Sequence, residues 1–245
     1  MLPDDLDERR LRLLKLVLRG PAVPRRAVAE LARTAQWNVP ETATVLAVSG
    51  GCERSALDGD VLADLTGEPH LLVPGPFTPA RRSMVVAALA RARGGQLGRA
   101  AAGLTVPLEN APDSLRWARQ LIKLVESRAL EDVPLTLADD HLVTLLLLAD
   151  PALLDQLARE HLDGMKTFRG EQRRRLFDTL RAWLTTRGTA VEIADELDVH
   201  PQTVRYRMRQ IDGAIGDRLD DDQARLAIEA ALRAARLRRP QDDPE

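Results

Sequence analysis

Cysteine is all but missing from this chain, and rings are few. Among 245 residues there is 1 Cys, 1 Tyr, 3 Phe and 3 Trp, so that aromatics make up only 3%. The lone Cys52 permits no intramolecular disulfide and no cysteine-based zinc site, which suits a reducing compartment. With so few rings the core must be filled by Leu, Ala and Val, a composition that favours helices. A long apolar run is also missing. The longest, around residues 142–149, is too short to span a bilayer. The amino terminus, MLPDDLDERR, is acidic and polar and has no signal-peptide pattern. A cytoplasmic location and no membrane partner are therefore expected. There is no P-loop, no Rossmann glycine fingerprint and no nucleophile elbow.

An excess of charge is lacking too. The formal net charge is −2, so any nucleic-acid contact must come from a local patch and not from the global field. Only Lys15, Lys123 and Lys166 are lysines, the other basic residues being arginine. A GC-rich genome produces that bias, so the arginine excess alone says little about function. What is present is 44% hydrophobic residues in a length that fits one or two globular domains, with two favoured.

In chain order, apolar spacing predicts helices over residues 4–18 and 24–36. The continuous β-branched run Thr42–Ser49 predicts a buried strand, broken by Gly50-Gly51. Residues 61–65 and 70–73 are short strands, with Thr66-Gly67-Glu68-Pro69 as the hairpin turn between them. Thr78 caps a helix over 78–93, with Pro79 in its first turn. A strand is expected between residues 94 and 107, centred on 104–106. A long helix over 112–130 and a strand over 134–137 complete an α+β domain, of ferredoxin-like or nucleotidyl-cyclase-like arrangement. Everything after Asp139 reads as helical: 140–148, 151–163, 172–186, a pair around residues 189–211, and 221–238. Residues 164–170 are the expected linker, and the tail 240–245 is expected to fray.

The stretch that stands out is residues 199–211, VHPQTVRYRMRQI, preceded by TAVEIADELD. Thr189 caps a first helix whose inner face is Ile193, Ala194 and Leu197. Ala194 has to be small where a second helix crosses it. Asp198-Val199-His200 makes the turn, Val199 plugs the corner, and Pro201 opens the second helix. On that helix Val204, Met208, Ile211 and Ile215 form one buried stripe at helical spacing. The opposite face carries Gln202, Thr203, Arg205, Tyr206, Arg209 and Gln210, with Arg207 at the edge of the stripe. No acidic residue interrupts it before Asp212. Arginine suits guanine edges or phosphates, glutamine suits adenine, and Thr and Tyr suit phosphates. A small residue, a turn, a plug and a cationic second helix are what a helix-turn-helix DNA reader requires. An ordinary helical hairpin with a solvated arginine face has the same pattern, and periodicity alone leaves both open.

Residues 177–237 resemble the C-terminal DNA-binding domain of the PucR/CdaR family of bacterial transcriptional regulators. The matching stretches are LFDTLRAWL, IADEL, VHPQTVRYRMRQI and RLAIEAALRA, with VH-x-x-T-x-x-YR the most specific; Gln202 stands where members often have Asn. SLRWARQLIKLVE and ADDHLVTLLLLAD resemble the later part of that family's GGDEF-like domain. The resemblance implies three segments: N-terminal helices over 1–40, a degenerate GGDEF-like α+β domain without a cyclase motif over 41–165, and an all-α helix-turn-helix domain over 171–239. It implies a DNA-binding regulator and not an enzyme. Residues 201–211 would be its recognition helix, and His200, Gln202, Thr203, Arg205, Tyr206, Arg207, Arg209 and Gln210 its DNA-binding residues. The expected partners are double-stranded DNA and a second copy of the chain, with an unknown small-molecule effector left open. No cofactor and no metal are expected.

Rival readings rest on other constellations. Asp139, Asp140 and His141 suggest a metal site, but no second histidine cluster supports it, and a cap with a packed histidine explains them. Glu160 and His161, adjacent on a helix, face different directions. Gly50-Gly51 and Gly94-Gly95 invite a nucleotide cyclase, yet Cys52-Glu53-Arg54 and Gln96-Leu97-Gly98 follow them and supply no paired acids for Mg²⁺. A nucleotide-processing enzyme or effector module on the middle domain, and a protein-interaction scaffold, remain the alternatives.

Overall fold

The computed structural model of the protein describes residues 3–91, 98–186 and 189–238. The end of the helix expected over 78–93, the Gly94-Gly95 pair and the tail from Pro240 lie outside them. The chain divides into two compact units between Leu145 and Leu146.

The first unit is α+β. Helices α1 (Pro3–Val17) and α2 (Arg25–Thr34) precede β1 (Thr42–Ser49), the hairpin β2 (Leu62–Asp64) and β3 (His70–Pro74), and α3 (Pro79–Ala90). Then come β4 (Arg99–Ala102), β5 (Val106–Pro107), α4 (Ala111–Glu126) and β6 (Leu135–Leu137). The sheet order is β2-β3-β1-β4-β6, with β5 also pairing β1. β1 runs antiparallel to its neighbours β3, β4 and β5, with Val45 opposite Leu72 and Ala47 opposite Ala101. β4 and β6 are parallel, and the connection between them contains α4.

Alternation along β1 serves two cores. Ala43 and Val45 join Leu13, Leu14, Trp37 and Leu115 on one face, while Leu46 and Val48 join Leu71, Val85, Leu89 and Ala100 on the other. A strand covered on both faces has no polar side to show, which is why its sequence reads as one apolar run. Thr78 caps α3, its hydroxyl accepting from the Arg81 amide at 3.4 Å.

The strand expected between residues 94 and 107 is present, but its main part lies earlier than 104–106. The ladder runs through Arg99–Ala102, keeps a last bond from the Gly103 amide to the Val45 carbonyl, and resumes at Val106. Ser114 of α4 fills the gap: its hydroxyl accepts from the Val45 amide at 2.9 Å and donates to the Leu104 carbonyl at 2.7 Å. Alanine has little intrinsic strand preference, so burial between two helical layers, not propensity, makes this segment a strand.

The second unit is helical. It contains α6 (Pro151–Leu162), α7 (Gly170–Thr186), α8 (Ala190–Glu196), α9 (Pro201–Leu219) and α10 (Asp222–Leu237); α5 (Leu142–Leu147) ends just inside it. Leu162, Met165, Leu176, Leu180, Ile211, Ile215 and Ile228 form one core. A fully buried leucine or isoleucine is worth roughly 1.5–3 kcal/mol, so this cluster accounts for much of the unit's cohesion.

Residues 164–170, expected as a linker, are packed into this unit. Asp163–Thr167 is a single 3₁₀ turn, Met165 is fully buried, and Phe168 packs on the same core. Apolar side chains three apart turn this short charged segment inward, and the boundary between units moves back to residue 145. α6, expected with the α+β domain, packs on α10 instead. No single helix among the described residues is long and apolar enough to cross a membrane.

Candidate nucleic-acid interface

α8, α9 and the turn between them are shaped by local chemistry. Thr189 and Glu192 form a capping box: the Glu192 carboxylate accepts from the Thr189 amide at 2.6 Å, and the Thr189 hydroxyl accepts from the Glu192 amide. α8 stops at Leu197, and Asp198 takes a left-handed conformation with φ 51°, one of the few non-glycine residues to do so. The Val199 amide donates back to the Ala194 carbonyl at 3.0 Å, closing the turn. His200 is the N-cap of α9: its Nδ1 accepts from the Gln202 amide at 3.2 Å, which leaves the ring proton on Nε2. Pro201 follows, where its missing N–H costs nothing.

Packing then settles which side of α9 is free. Val204 and Ile211 are buried, and Ala194 at 1% exposure lies in one cluster with Ile193, Ala182 and Val204. Val199 and Met208 close the edges of that cluster. On the other side Gln202, Arg205, Tyr206 and Arg209 are exposed, and they line a shallow open groove together with Met208 and Asp212. Among the described residues Arg205 and Arg209 have no hydrogen-bond or ion-pair partner. Two unpaired guanidiniums, Arg205 three residues after Gln202 and Arg209 three after Tyr206, make a surface chemically suited to phosphate and to base edges.

The other residues expected at this surface fall into different places. His200 is exposed but occupied as the cap. Thr203 and Gln210 are half-buried, and the Gln210 amide donates to the Tyr206 hydroxyl at 3.3 Å, leaving the tyrosine proton free. Arg207 is half-buried and turned away from the exposed face. Its Nη1 donates to the Thr179 hydroxyl of α7 at 3.3 Å. Thr179 was not foreseen from the sequence. Its signal was there, a hydroxyl in the apolar stripe three residues after Leu176, but that position reads equally well as an unremarked core threonine.

The remaining constellations do not converge. Asp139 and Asp140 are exposed in the 3₁₀ turn Ala138–His141, and no group of three or more potential metal ligands occurs among the described residues. After Gly50-Gly51, Glu53 is taken up locally, accepting from the amide and hydroxyl of Ser55. The neighbouring Cys52 thiol is pushed up to about 11 by burial and then by the Glu53 charge, which makes it a poor nucleophile.

Comparison with known proteins agrees with this geometry. Residues 176–234, which hold most of α7, all of α8 and α9 and most of α10, match the model of the PucR C-terminal helix-turn-helix domain. The resemblance read from VHPQTVRYRMRQI is borne out over this segment. No curated protein matches the chain. Among solved structures, one described as the crystal structure of a regulator of polyketide synthase expression from Bifidobacterium adolescentis is similar at 20% identity. It covers 94% of this chain and 93% of that chain with a TM-score of 0.46, too weak a likeness to carry more.

Proposed function

We propose that the protein is a sequence-specific, DNA-binding transcriptional regulator that works through α9. The observation that carries this reading is the pair Arg205 and Arg209, exposed and unpartnered among the described residues, on the side of a helix-turn-helix pair opposite its buried stripe. In this reading the first three turns of α9, residues 201–211, lie in the major groove. Arg205 and Arg209 contact phosphate or guanine, Gln202 reads a base edge, and Tyr206, held by Gln210, donates to a phosphate. α8 is acidic at Glu192, Asp195 and Glu196, so it stands back from the backbone. A single short helix covers only a few base pairs, so a homodimer on paired half-sites is the working assembly. The working compartment is the cytoplasm, and the α+β unit is the place for an effector of unknown chemistry.

The test starts by selecting and sequencing genomic fragments bound by the full chain. Affinity for a selected fragment is then followed between 50 and 200 mM salt. It should fall steeply, and Arg205→Ala and Arg209→Ala should each weaken binding and flatten the log–log salt slope by about 0.9. Binding that ignores both salt and these substitutions would end the assignment of this face to DNA.

A further inference from the structure

We infer that Arg207 is a positioning residue, which sets the rotation of α9 by bracing it on α7, and that it neutralises no phosphate. This rests on the DNA-binding reading of α9 and refines it. Three arginines alternate along the helix at 205, 207 and 209. At about 100° per residue, positions two apart differ by about 160° around the axis, so Arg207 points away from both of its neighbours. The structure follows that geometry: Arg205 and Arg209 are exposed, whereas Arg207 is half-buried against α7.

Its partner is suited to the role. Thr179 is fully buried and donates its only hydroxyl proton to the Arg175 carbonyl one turn back at 2.9 Å. That leaves an oxygen lone pair inside the unit, and the Arg207 guanidinium fills it at 3.3 Å. Threonine cannot move to follow the helix, because its β-branched side chain is tied to its own backbone. The link therefore runs from the α7 main chain through Thr179 to α9. The apolar stripe of Val204, Ile211 and Ile215 holds α9 against the core through burial, which is non-directional. A directed hydrogen bond on one flank selects one rotation among those that apolar packing tolerates. Base readout needs side chains held to within about 10–20° of the productive orientation, whereas phosphate attraction tolerates more.

The experiment compares full-length wild type with Arg207→Ala, Thr179→Val, Thr179→Ser and the double variant Arg207→Ala/Thr179→Val. Binding to a selected genomic fragment and to an unrelated duplex of equal length is measured as a function of salt, well below each thermal midpoint. Arg207→Ala and Thr179→Val should each weaken specific binding about tenfold and leave binding to the unrelated duplex and the salt slope unchanged. The double variant should be no weaker than the worse single, and Thr179→Ser, which keeps the acceptor, should bind as wild type does. Thr179→Val keeps every charge and nearly the same volume, so it tests the brace even if Arg207→Ala fails to fold. A salt slope flattened by about 0.9 in Arg207→Ala, with Thr179→Val binding normally, would overturn the brace and make Arg207 a phosphate contact. In that case Arg205→Ala and Arg209→Ala would still weaken binding, and the DNA reading would stand. Absence of salt-dependent DNA binding by the wild type would remove that reading itself.

Discussion

Gly164 lies against Ala214 so closely that a Cβ built on the glycine would overlap the Ala214 carbonyl oxygen and come within 3.2 Å of Ile215 Cγ2. The 3₁₀ turn that follows α6 thus touches α9 by backbone, at the point where α9 kinks: Ile215 has φ −142° and ψ 16°, outside the helical region. Gly164→Ala should force this contact apart and cost about 1–3 kcal/mol in urea unfolding. Gly213→Ala is the control, since nothing lies within 4 Å of its Cβ. In a helix it should be neutral or stabilising by up to about 1 kcal/mol. Equal stability of the two variants would mean that the turn does not press on α9.

Ala194 is the crossing point of α8 and α9, 1% exposed beside Ile193 and Val204. Ala194→Leu should push the helices apart, lowering stability by about 1–3 kcal/mol and abolishing specific DNA binding. Thr189→Ala, which removes the cap of α8 without touching the crossing, should cost about 1 kcal/mol and weaken binding far less. Thermal melts and anisotropy on the same samples separate the two. Normal specific binding by Ala194→Leu would contradict the helix-turn-helix packing.

Cys52 has its thiol raised from 9.0 to about 11, chiefly by burial. At pH 8 the folded protein should hold about a hundredfold less thiolate than the unfolded chain, and only thiolate reacts. Labelling by a disulfide reagent should therefore be slow in buffer and fast in urea. Equal rates in the two conditions would show that the thiol is neither shielded nor shifted.

Asp64 makes the first unit sensitive to acid. Burial raises its carboxyl, but hydrogen bonds from the Thr66 hydroxyl and amide, with His70 and Lys15 nearby, outweigh this and hold it below the ordinary 3.8. A carboxylate lowered by folding stabilises above its unfolded value, and that contribution is lost as pH falls through the folded one. Thermal midpoints should therefore drop more below pH 3.8 in the wild type than in Asp64→Asn. At neutral pH the variant should be less stable by about 1 kcal/mol. Parallel acid profiles would rule out this role.

Legibility varied with how local each signal was. β1 was readable to the residue, because a run of β-branched and apolar side chains needs two covered faces. α3 and α9 announced their starts through Thr78-Pro79 and Pro201, where the chemistry of a helix start involves only neighbouring residues, while the cap role of His200 emerged only in the structure. β4 falls inside the range expected for it but earlier than its expected centre, because alanines carry no strand preference of their own and are recruited by pairing, as with Ala101 opposite Ala47. The segment 164–170 was misread as a linker because two glycines and the charges of Lys166 and Arg169 stand around Met165 and Phe168, and only the core around Met165 shows where those side chains go.

The amino-acid sequence by itself determined the helices, the buried stripe of Val204, Ile211 and Ile215, and hence the face that carries Arg205 and Arg209. Those are consequences of 3.6-residue periodicity, a property of residues a turn or two apart. The sequence also showed that Arg207 must point away from its neighbours, for the same reason. That Arg207 meets Thr179, 28 residues earlier, was decided only when α7 packed on α9. The same holds for Gly164 against Ala214, 50 residues away. Contacts of that range depend on the angle and depth at which helices dock, which the volumes of many core side chains fix together and no single stretch of sequence encodes.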